Sequence, residues 1–365
     1  MNYPSIERRT TREVRVGEIT LGGDAPVRVQ SMTNTPTADT PATLAQAQEL
    51  VGAGAELIRV AVPTENDTAA LETLVAELPV PVVADVHFHF DRALEAIDAG
   101  VAKIRLNPGN IRDRRQVTDV IRAAKDAGVA IRVGVNEGSI VTRGTKAAKA
   151  ADLSRPLPEL MVERMAEYLE IFEAEQFDQL VLSAKSHDAM TTVAVNRLLA
   201  DRWDYPLHLG VTHAGTRETG TIRSAAALGA LLSEGIGDTI RISFAGDPVH
   251  EVTAAMELLQ SLRLRERKGV ELIACPTCGR LQMDLSEVIA EITPELASID
   301  APLTVAIMGC VVNGPGEADG ADIALCAGAD KAALYVRGEL AGTIPAAQAA
   351  QAVIDEAKKL AAETT

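Results

Sequence analysis

Aromatic side chains are scarce: one tryptophan, four tyrosines and five phenylalanines among 365 residues. Positive charge is also short, with 35 Lys and Arg against 51 Asp and Glu and a formal net charge of -16. Nucleic-acid binding calls for a basic face and commonly for stacking aromatics, so no nucleic-acid partner is expected. There are four cysteines, too few for a disulfide framework, and the one pair at C-x-x-C spacing points to a reducing compartment. The N-terminus from Met1 to Arg12 is polar and carries no apolar segment of a signal peptide. No uninterrupted apolar run approaches the roughly 20 residues of a membrane helix. A cytoplasmic protein without membrane contact is expected. No G-x-G-x-x-G follows the first apolar strand, so a dinucleotide fold lacks its fingerprint.

The hydrophobic content, 47%, is enough for one large domain plus a small one. From Val27 to Leu262 one unit repeats: a short apolar strand, a polar turn, then an Ala/Leu/Glu-rich helix. The strands fall at 27–31, 57–62, 82–87, 103–107, 130–135, 180–184, 207–211 and 239–243. Eight parallel strands joined by helices predict an α/β protein with a closed (β/α)8 TIM barrel. Ahead of it, residues 13–23 alternate apolar and polar around a turn and predict a β-hairpin, placed across the bottom of the barrel. A charged run from Arg263 to Lys268 reads as linker or helix end. A small α+β unit completes the chain, with strand 270–274, helix 284–293, strands 303–308, 321–327 and 332–336, and helix 345–362. The expected division is 1–23 arm and hairpin, 24–266 barrel, 267–365 C-terminal domain.

In such barrels chemistry lies at the carboxyl ends of the strands. There the chain places groups that an apolar core would not choose: Arg59, Arg105, Asn107, Arg132, Asn136, Lys185, Arg241 and Ser243. An unpaired buried cation is costly. Four arginines and a lysine converging on one mouth suit a diphosphate, although acids such as Asp85 offer some of them an internal partner. Asp85, His87 and His89 alternate and share one side of their strand, which suits either polar strand-end groups or a two-His-one-carboxylate metal set. The long, basic loop 138–158 reads as a lid, a subunit contact or a solvated loop.

The strongest signal is Cys275-Pro276-Thr277-Cys278-Gly279-Arg280, followed about thirty residues on by Gly309-Cys310-Val311-Val312-Asn313-Gly314-Pro315-Gly316-Glu317. A C-x-x-C turn with a third cysteine at the Gly-bounded end of an apolar strand is a thiolate metal site. Structural zinc prefers four closed ligands, which would require Cys326, a residue that also reads as a buried free cysteine. Iron-sulfur clusters take a pair plus distant singles. Glu317 is the acidic side chain of the tight loop, and spacing alone leaves it open between a replaceable fourth ligand and a solvated loop acid.

These two segments resemble the signature of the 4-hydroxy-3-methylbut-2-enyl diphosphate synthase family. The resemblance extends to Val29-Gln30-Ser31-Met32-Thr33-Asn34-Thr35, Leu106-Asn107-Pro108-Gly109-Asn110, Val133-Gly134-Val135-Asn136 and Gly235-Ile236-Gly237-Asp238-Thr239, so it covers nearly the whole chain. It implies a 4Fe-4S cluster on Cys275, Cys278, Cys310 and Glu317. It also implies reductive ring opening and dehydration of 2-C-methyl-D-erythritol 2,4-cyclodiphosphate to (E)-4-hydroxy-3-methylbut-2-enyl diphosphate in non-mevalonate isoprenoid biosynthesis. Neither half holds a flavin or nicotinamide motif, so electrons are expected from flavodoxin or ferredoxin. The resemblance further implies a head-to-tail homodimer and no mononuclear metal at Asp85. The chain departs from the family pattern at His213, where glutamate is common and serves as an acid/base candidate; imidazole also moves protons near neutral pH, and Glu218 is close by in sequence. The candidate catalytic groups are therefore His213, Glu317 and Asp85. Two rivals are a barrel lyase or transferase with structural zinc on Cys275, Cys278, Cys310 and Cys326, and a non-enzymatic iron-sulfur sensor.

Overall fold

The computed structural model of the chain describes residues 5–86, 90–107, 113–140, 154–310, 316 and 319–364. Two compact units divide it, Met1–Arg265 and Glu266–Thr365.

The first unit opens with an antiparallel hairpin, β1 (Val14–Val16) and β2 (Ile19–Leu21), turning at Gly17, whose φ of +58° favours glycine. Eight parallel strands alternate with helices after it: β3 (Arg28–Met32), α1 (Thr40–Gly52), β4 (Leu57–Ala61), α2 (Glu65–Glu77), β5 (Val82–Asp85), α3 (Phe90–Asp98), β6 (Lys103–Leu106), α4 (Arg114–Ala127), β7 (Ala130–Asn136), α5 (Leu157–Ala174), β8 (Leu180–Lys185), α6 (Ala189–Arg202), β9 (His208–Leu209), α7 (Arg217–Ser233), β10 (Thr239–Ile240) and α8 (Pro248–Ser261). The sheet runs β8-β7-β6-β5-β4-β3-β10-β9, and a parallel bridge from Leu182 to Leu207 joins its two ends. The barrel expected from the repeat is therefore present. Helix starts are fixed by aspartates at the N-caps: Asp39, Asp113, Asp188 and Asp247 each accept a first-turn backbone N–H. Each such cap contributes about 1 kcal/mol.

The strands alternate as barrel strands must. Ile58, Val60, Ile104, Leu106, Ile131 and Val133 turn outward into a core shared with the helices. At the amino ends of the strands, Leu57, Val83, Ala130 and Val181 turn inward and pack against Val14, Val16 and Leu21 of the hairpin, none more than 1% exposed. The hairpin thus plugs the barrel from below. The N-terminal arm is tied down beside it: Arg8 Nη2 lies 2.8 Å from Oδ1 of buried Asp238, and Asp238 Oδ2 accepts the Leu207 N–H at 2.8 Å.

The second unit is a five-stranded mixed sheet in the order β11 (Glu271–Ala274), β12 (Thr304–Met308), β13 (Ile323–Ala327), β14 (Lys331–Val336), β15 (Glu339–Pro345). The first two pairings are parallel and the last two antiparallel. Helices α9 (Leu285–Leu296) and α10 (Ala349–Thr364) pack Leu285, Ile292, Val353 and Leu360 onto Val305, Ile307, Ile323 and Leu325. The sequence predicts a helix from residue 345; instead 339–345 form the edge strand β15, and α10 follows a short 3-10 turn at Ala346–Gln348. Pro345 fits an edge position, where a missing N–H costs little. Among the described residues no helix is long and apolar enough to cross a membrane.

Candidate functional site

The lumen of the barrel carries its charge. Because Ile104 and Leu106 flank Arg105 and turn outward, as do Ile131 and Val133 around Arg132, alternation sends both guanidinium groups inward. Cross-strand register sets Asp85 beside Arg105 and Arg105 beside Arg132, so β5, β6 and β7 present one row of three buried charges. Asp85 is shared: Arg105 Nη1 lies 3.3 Å from Oδ1 and Arg59 Nε lies 3.7 Å from Oδ2. Arg59 also donates to Met32 Sδ at 3.0 Å. Across the barrel, Arg241 Nη2 lies 3.1 Å from Glu251 Oε2, while Glu251 Oε1 accepts the Phe244 N–H at 3.0 Å. The internal partners that the sequence left open are thus real for three of the arginines.

Arg132 differs. Its Nε and Nη1 are buried without a hydrogen-bond partner among the described residues. Burial, then the like charges of Arg59 and Arg105, pushes its pKa well down. Burial likewise lowers Arg59 to about 10, with Asp85 opposing. Lys185 Nζ lies 3.1 Å from His208 Nε2. The imidazole is fully buried, and burial together with the Lys185 charge lowers its pKa far enough to keep it neutral, with Nε2 accepting. Gly210 makes room for this lysine: a Cβ there would stand 2.6 Å from Lys185 Nζ. Six cations, Arg59, Lys103, Arg105, Arg132, Lys185 and Arg241, are met among the described residues by two carboxylates, Asp85 and Glu251. In a protein of formal charge -16 this formal surplus of four positive charges suits an anion, whose approach would favour the charged forms of Lys103, Arg132 and Lys185 that burial disfavours.

The remaining mouth residues are polar. Asn107 is buried just beyond β6, and Asn136 stands level with Lys185 in the β7–β8 register. Ser243 Oγ donates to the Val211 carbonyl at 3.1 Å. His213, exposed and left-handed at φ 51°, lines a hollow of about 580 Å³ together with Arg241, Ser243, Phe244 and Glu251. Glu218 does not line this hollow; in the first turn of α7 it accepts the Thr216 hydroxyl at 2.9 Å. His87, His89, Glu317 and residues 141–153 of the long loop lie outside the described residues.

The sequence reading missed Glu251, Lys103 and His208. Lys103 was visible in principle, two residues before Arg105 and so on the same face of β6. His208 sits between Leu207 and Leu209 and reads as core, and Glu251 reads as an ordinary helix acid.

In the second unit backbone pairing ties the segments that carry Cys275, Cys278 and Cys310 to one end of β11 and β12. Cys275 directly follows β11, and its N–H donates to the Ile307 carbonyl of β12 at 2.9 Å. The C-x-x-C turn returns so that the Gln282 N–H reaches the Gly309 carbonyl at 3.0 Å, next to Cys310. All four cysteines are free thiols. The Arg280 backbone N–H, with help from its side chain, lowers the Cys278 thiol pKa, as a thiolate ligand needs. Among the described residues no three such side chains surround a single ion position. A cluster seats each thiolate on a different iron and so calls for wider spacing, which a pair on a turn plus a strand-end thiol can supply. Cys326 is fully buried among Ala306, Met308 and Ala324, and burial raises its pKa to about 11.

The GcpE TIM-barrel domain matches residues 11–256, and the GcpE protein C-terminal domain matches residues 271–359. A Geobacter sulfurreducens protein described as 4-hydroxy-3-methylbut-2-en-1-yl diphosphate synthase (flavodoxin) is 47% identical over 353 residues, covering 97% of this chain and 98% of its own. A Frankia casuarinae protein of the same description is 46% identical over 361 residues, covering 99% and 92%. Among solved structures, dihydropteroate synthase from Stenotrophomonas maltophilia with active site-bound imidazole shares the fold, with a TM-score of 0.50 and 19% identity over 69% of this chain and 97% of that one.

Proposed function

Because this chain belongs to the GcpE family, with relatives described as 4-hydroxy-3-methylbut-2-en-1-yl diphosphate synthases along nearly its full length, we propose that its barrel mouth is the site of that reaction. The protein is an oxidoreductase of non-mevalonate isoprenoid biosynthesis that opens and dehydrates 2-C-methyl-D-erythritol 2,4-cyclodiphosphate, giving (E)-4-hydroxy-3-methylbut-2-enyl diphosphate. Two electrons enter, one carbon–oxygen bond to the ring phosphate breaks, one hydroxyl leaves as water, and at neutral pH one proton is taken up. The single observation that carries this reading is the surplus of buried cations at the strand ends, Arg132 foremost because its Nε and Nη1 have no hydrogen-bond partner among the described residues.

Arg59, Arg105, Arg132, Lys185 and Arg241 bind and orient the diphosphate, with Asn107, Asn136 and Ser243 adding hydrogen bonds. Asp85 acts on the substrate through others, holding Arg59 and Arg105 at fixed positions. Opening the ring adds a negative charge to the diphosphate, and the preorganised cations stabilise that charge as it develops. His213, on the hollow beside Arg241, donates the proton to the departing hydroxyl. Cys275, Cys278, Cys310 and Glu317 hold a 4Fe-4S cluster, which when bound supplies electrons one at a time and a Lewis-acidic iron at its replaceable carboxylate position. Flavodoxin delivers the electrons. A head-to-tail homodimer, as the family resemblance implies, is the proposed assembly; a fully active monomer in sedimentation would refute it.

The test is anaerobic reconstitution with iron and sulfide, Mössbauer spectroscopy of wild type and Glu317→Ala, and turnover with reduced flavodoxin. The expected result is a 4Fe-4S spectrum with one distinctive iron site that changes in the variant, and turnover lost in Arg132→Met. Zinc-filled, iron-free protein after reconstitution would overturn the cluster; undiminished turnover in Arg132→Met would overturn the mouth.

A further inference from the structure

Below the row of arginines the lumen holds a lysine that makes no ion pair among the described residues. Lys103 opens β6, and alternation gives it the inward face of Arg105. It is 0% exposed and the largest of the fully buried side chains, and its ammonium has no hydrogen-bond partner among the described residues. Burial first, then the like charges of Arg132 and Arg59, pushes its pKa well down, and it in turn acts on His208 of β9. The Gln30 amide, the Thr239 hydroxyl and His208 Nδ1, from three other strands, are also buried without partners. This level of the lumen is therefore polar on several sides, closed below by the apolar hairpin, and contains no anion of its own among the described residues.

A buried ammonium without a counter-charge is among the costliest groups a core can hold. Among the described residues Lys103 makes neither an ion pair nor a hydrogen bond that would hold its tip in a purely structural role. Left alone, burial favours the neutral amine; an anion within electrostatic range above it favours the charged ammonium. Resting on the reading of the mouth as a diphosphate site, we infer that Lys103 is a positioning residue of that site, a second tier of charge beneath Arg59 and Arg132 that attracts the anion without touching it. Its pull scales with ligand charge, and so favours the additional negative charge that ring opening creates.

The experiment is anaerobic calorimetric titration of the reconstituted full chain with inorganic pyrophosphate and with inorganic phosphate, for wild type and Lys103→Met, alongside thermal melting. Lys103→Met is expected to melt no lower than wild type. It is expected to bind pyrophosphate at least about tenfold more weakly, and phosphate with a smaller loss. Lys103→Gln, which keeps polarity and removes charge, is expected to behave alike and stands in where the Met variant does not fold. Pyrophosphate affinity equal to wild type in a folded variant, or equal losses for both anions, would overturn the inference alone. Failure of both variants to fold would assign Lys103 a structural role and overturn it as well. Wild type that does not bind pyrophosphate would overturn the mouth reading, and the second tier with it.

Discussion

Gly210→Ala tests how closely Lys185 is held. Gly210 follows β9 with an ordinary negative φ, so alanine is not strained by its backbone; what it lacks is space. Its Cβ would stand 2.6 Å from Lys185 Nζ and 2.7 Å from the Arg241 carbonyl oxygen. A carbon–oxygen contact settles near about 3.3 Å, so the Arg241 backbone just beyond β10 must retreat by several tenths of an ångström. A lysine tip usually yields, but this one is buried and lies 3.1 Å from His208 Nε2. Overpacking of this kind costs about 1–3 kcal/mol, and at about 2–4 °C per kcal/mol the variant should melt a few to ten degrees lower. A displaced ammonium also loses its charge-assisted hydrogen bond to the diphosphate, worth about 1.5–3 kcal/mol, which corresponds to about 10–150-fold in kcat/KM. Calorimetry and steady-state turnover with reduced flavodoxin read the two effects separately. Wild-type melting would refute the packing argument, and lowered melting with undiminished kcat/KM would refute the role of Lys185.

Ser186→Ala should make stability less sensitive to acid. Ser186 Oγ donates to Glu137 Oε2 at 2.7 Å and is the main reason, ahead of His187, that the Glu137 pKa is lowered. A lowered folded pKa stabilises the protein fully above the unfolded value and ceases to do so as pH falls through the folded one. The deficit of Ser186→Ala, under about 1 kcal/mol because Glu137 is partly exposed, should therefore narrow between pH 7 and pH 3; urea melts showing an equal deficit at both would contradict it. Glu251→Gln should cost about 2–4 kcal/mol, since it removes the charged half of a largely buried pair and leaves Arg241 behind; an unchanged melting temperature would show that Arg241 does not depend on it. Cys326→Ala should leave iron and sulfide content after reconstitution at the wild-type level while Cys310→Ala lowers it. Loss of iron in the Cys326 variant would make that thiol a ligand.

The barrel was legible because its strands announce themselves twice, as apolar runs against the helices and as charges an apolar core would refuse. Arg105 between Ile104 and Leu106 carries both signals in three residues. Edge strand β15 carries neither: its residues are exposed or only half-buried, so no burial enforced a period of two, and Gly342 and Pro345 read as a break. Lys103 went unread because a single lysine at a strand start is more often a solvated terminus, and only three-dimensional closure turns it inward. Glu251 was invisible for another reason, since its partner Arg241 is reached from a helix and no spacing records that meeting. The cysteine motif was legible as a thiolate site from the pair and the strand end, whereas the carboxylate at Glu317 needed the family resemblance to be read as a ligand.

With Val14, Val16 and Leu21 seated beneath the strands, the lumen is a blind tube. Counter-ions, water, substrate and product all share one doorway. An anion resting among the arginines cannot leave through that apolar floor; it must come back out the way it entered. On the proposed reading of the mouth, phosphate or sulfate in the medium would compete as an occupant of that doorway, besides screening the field.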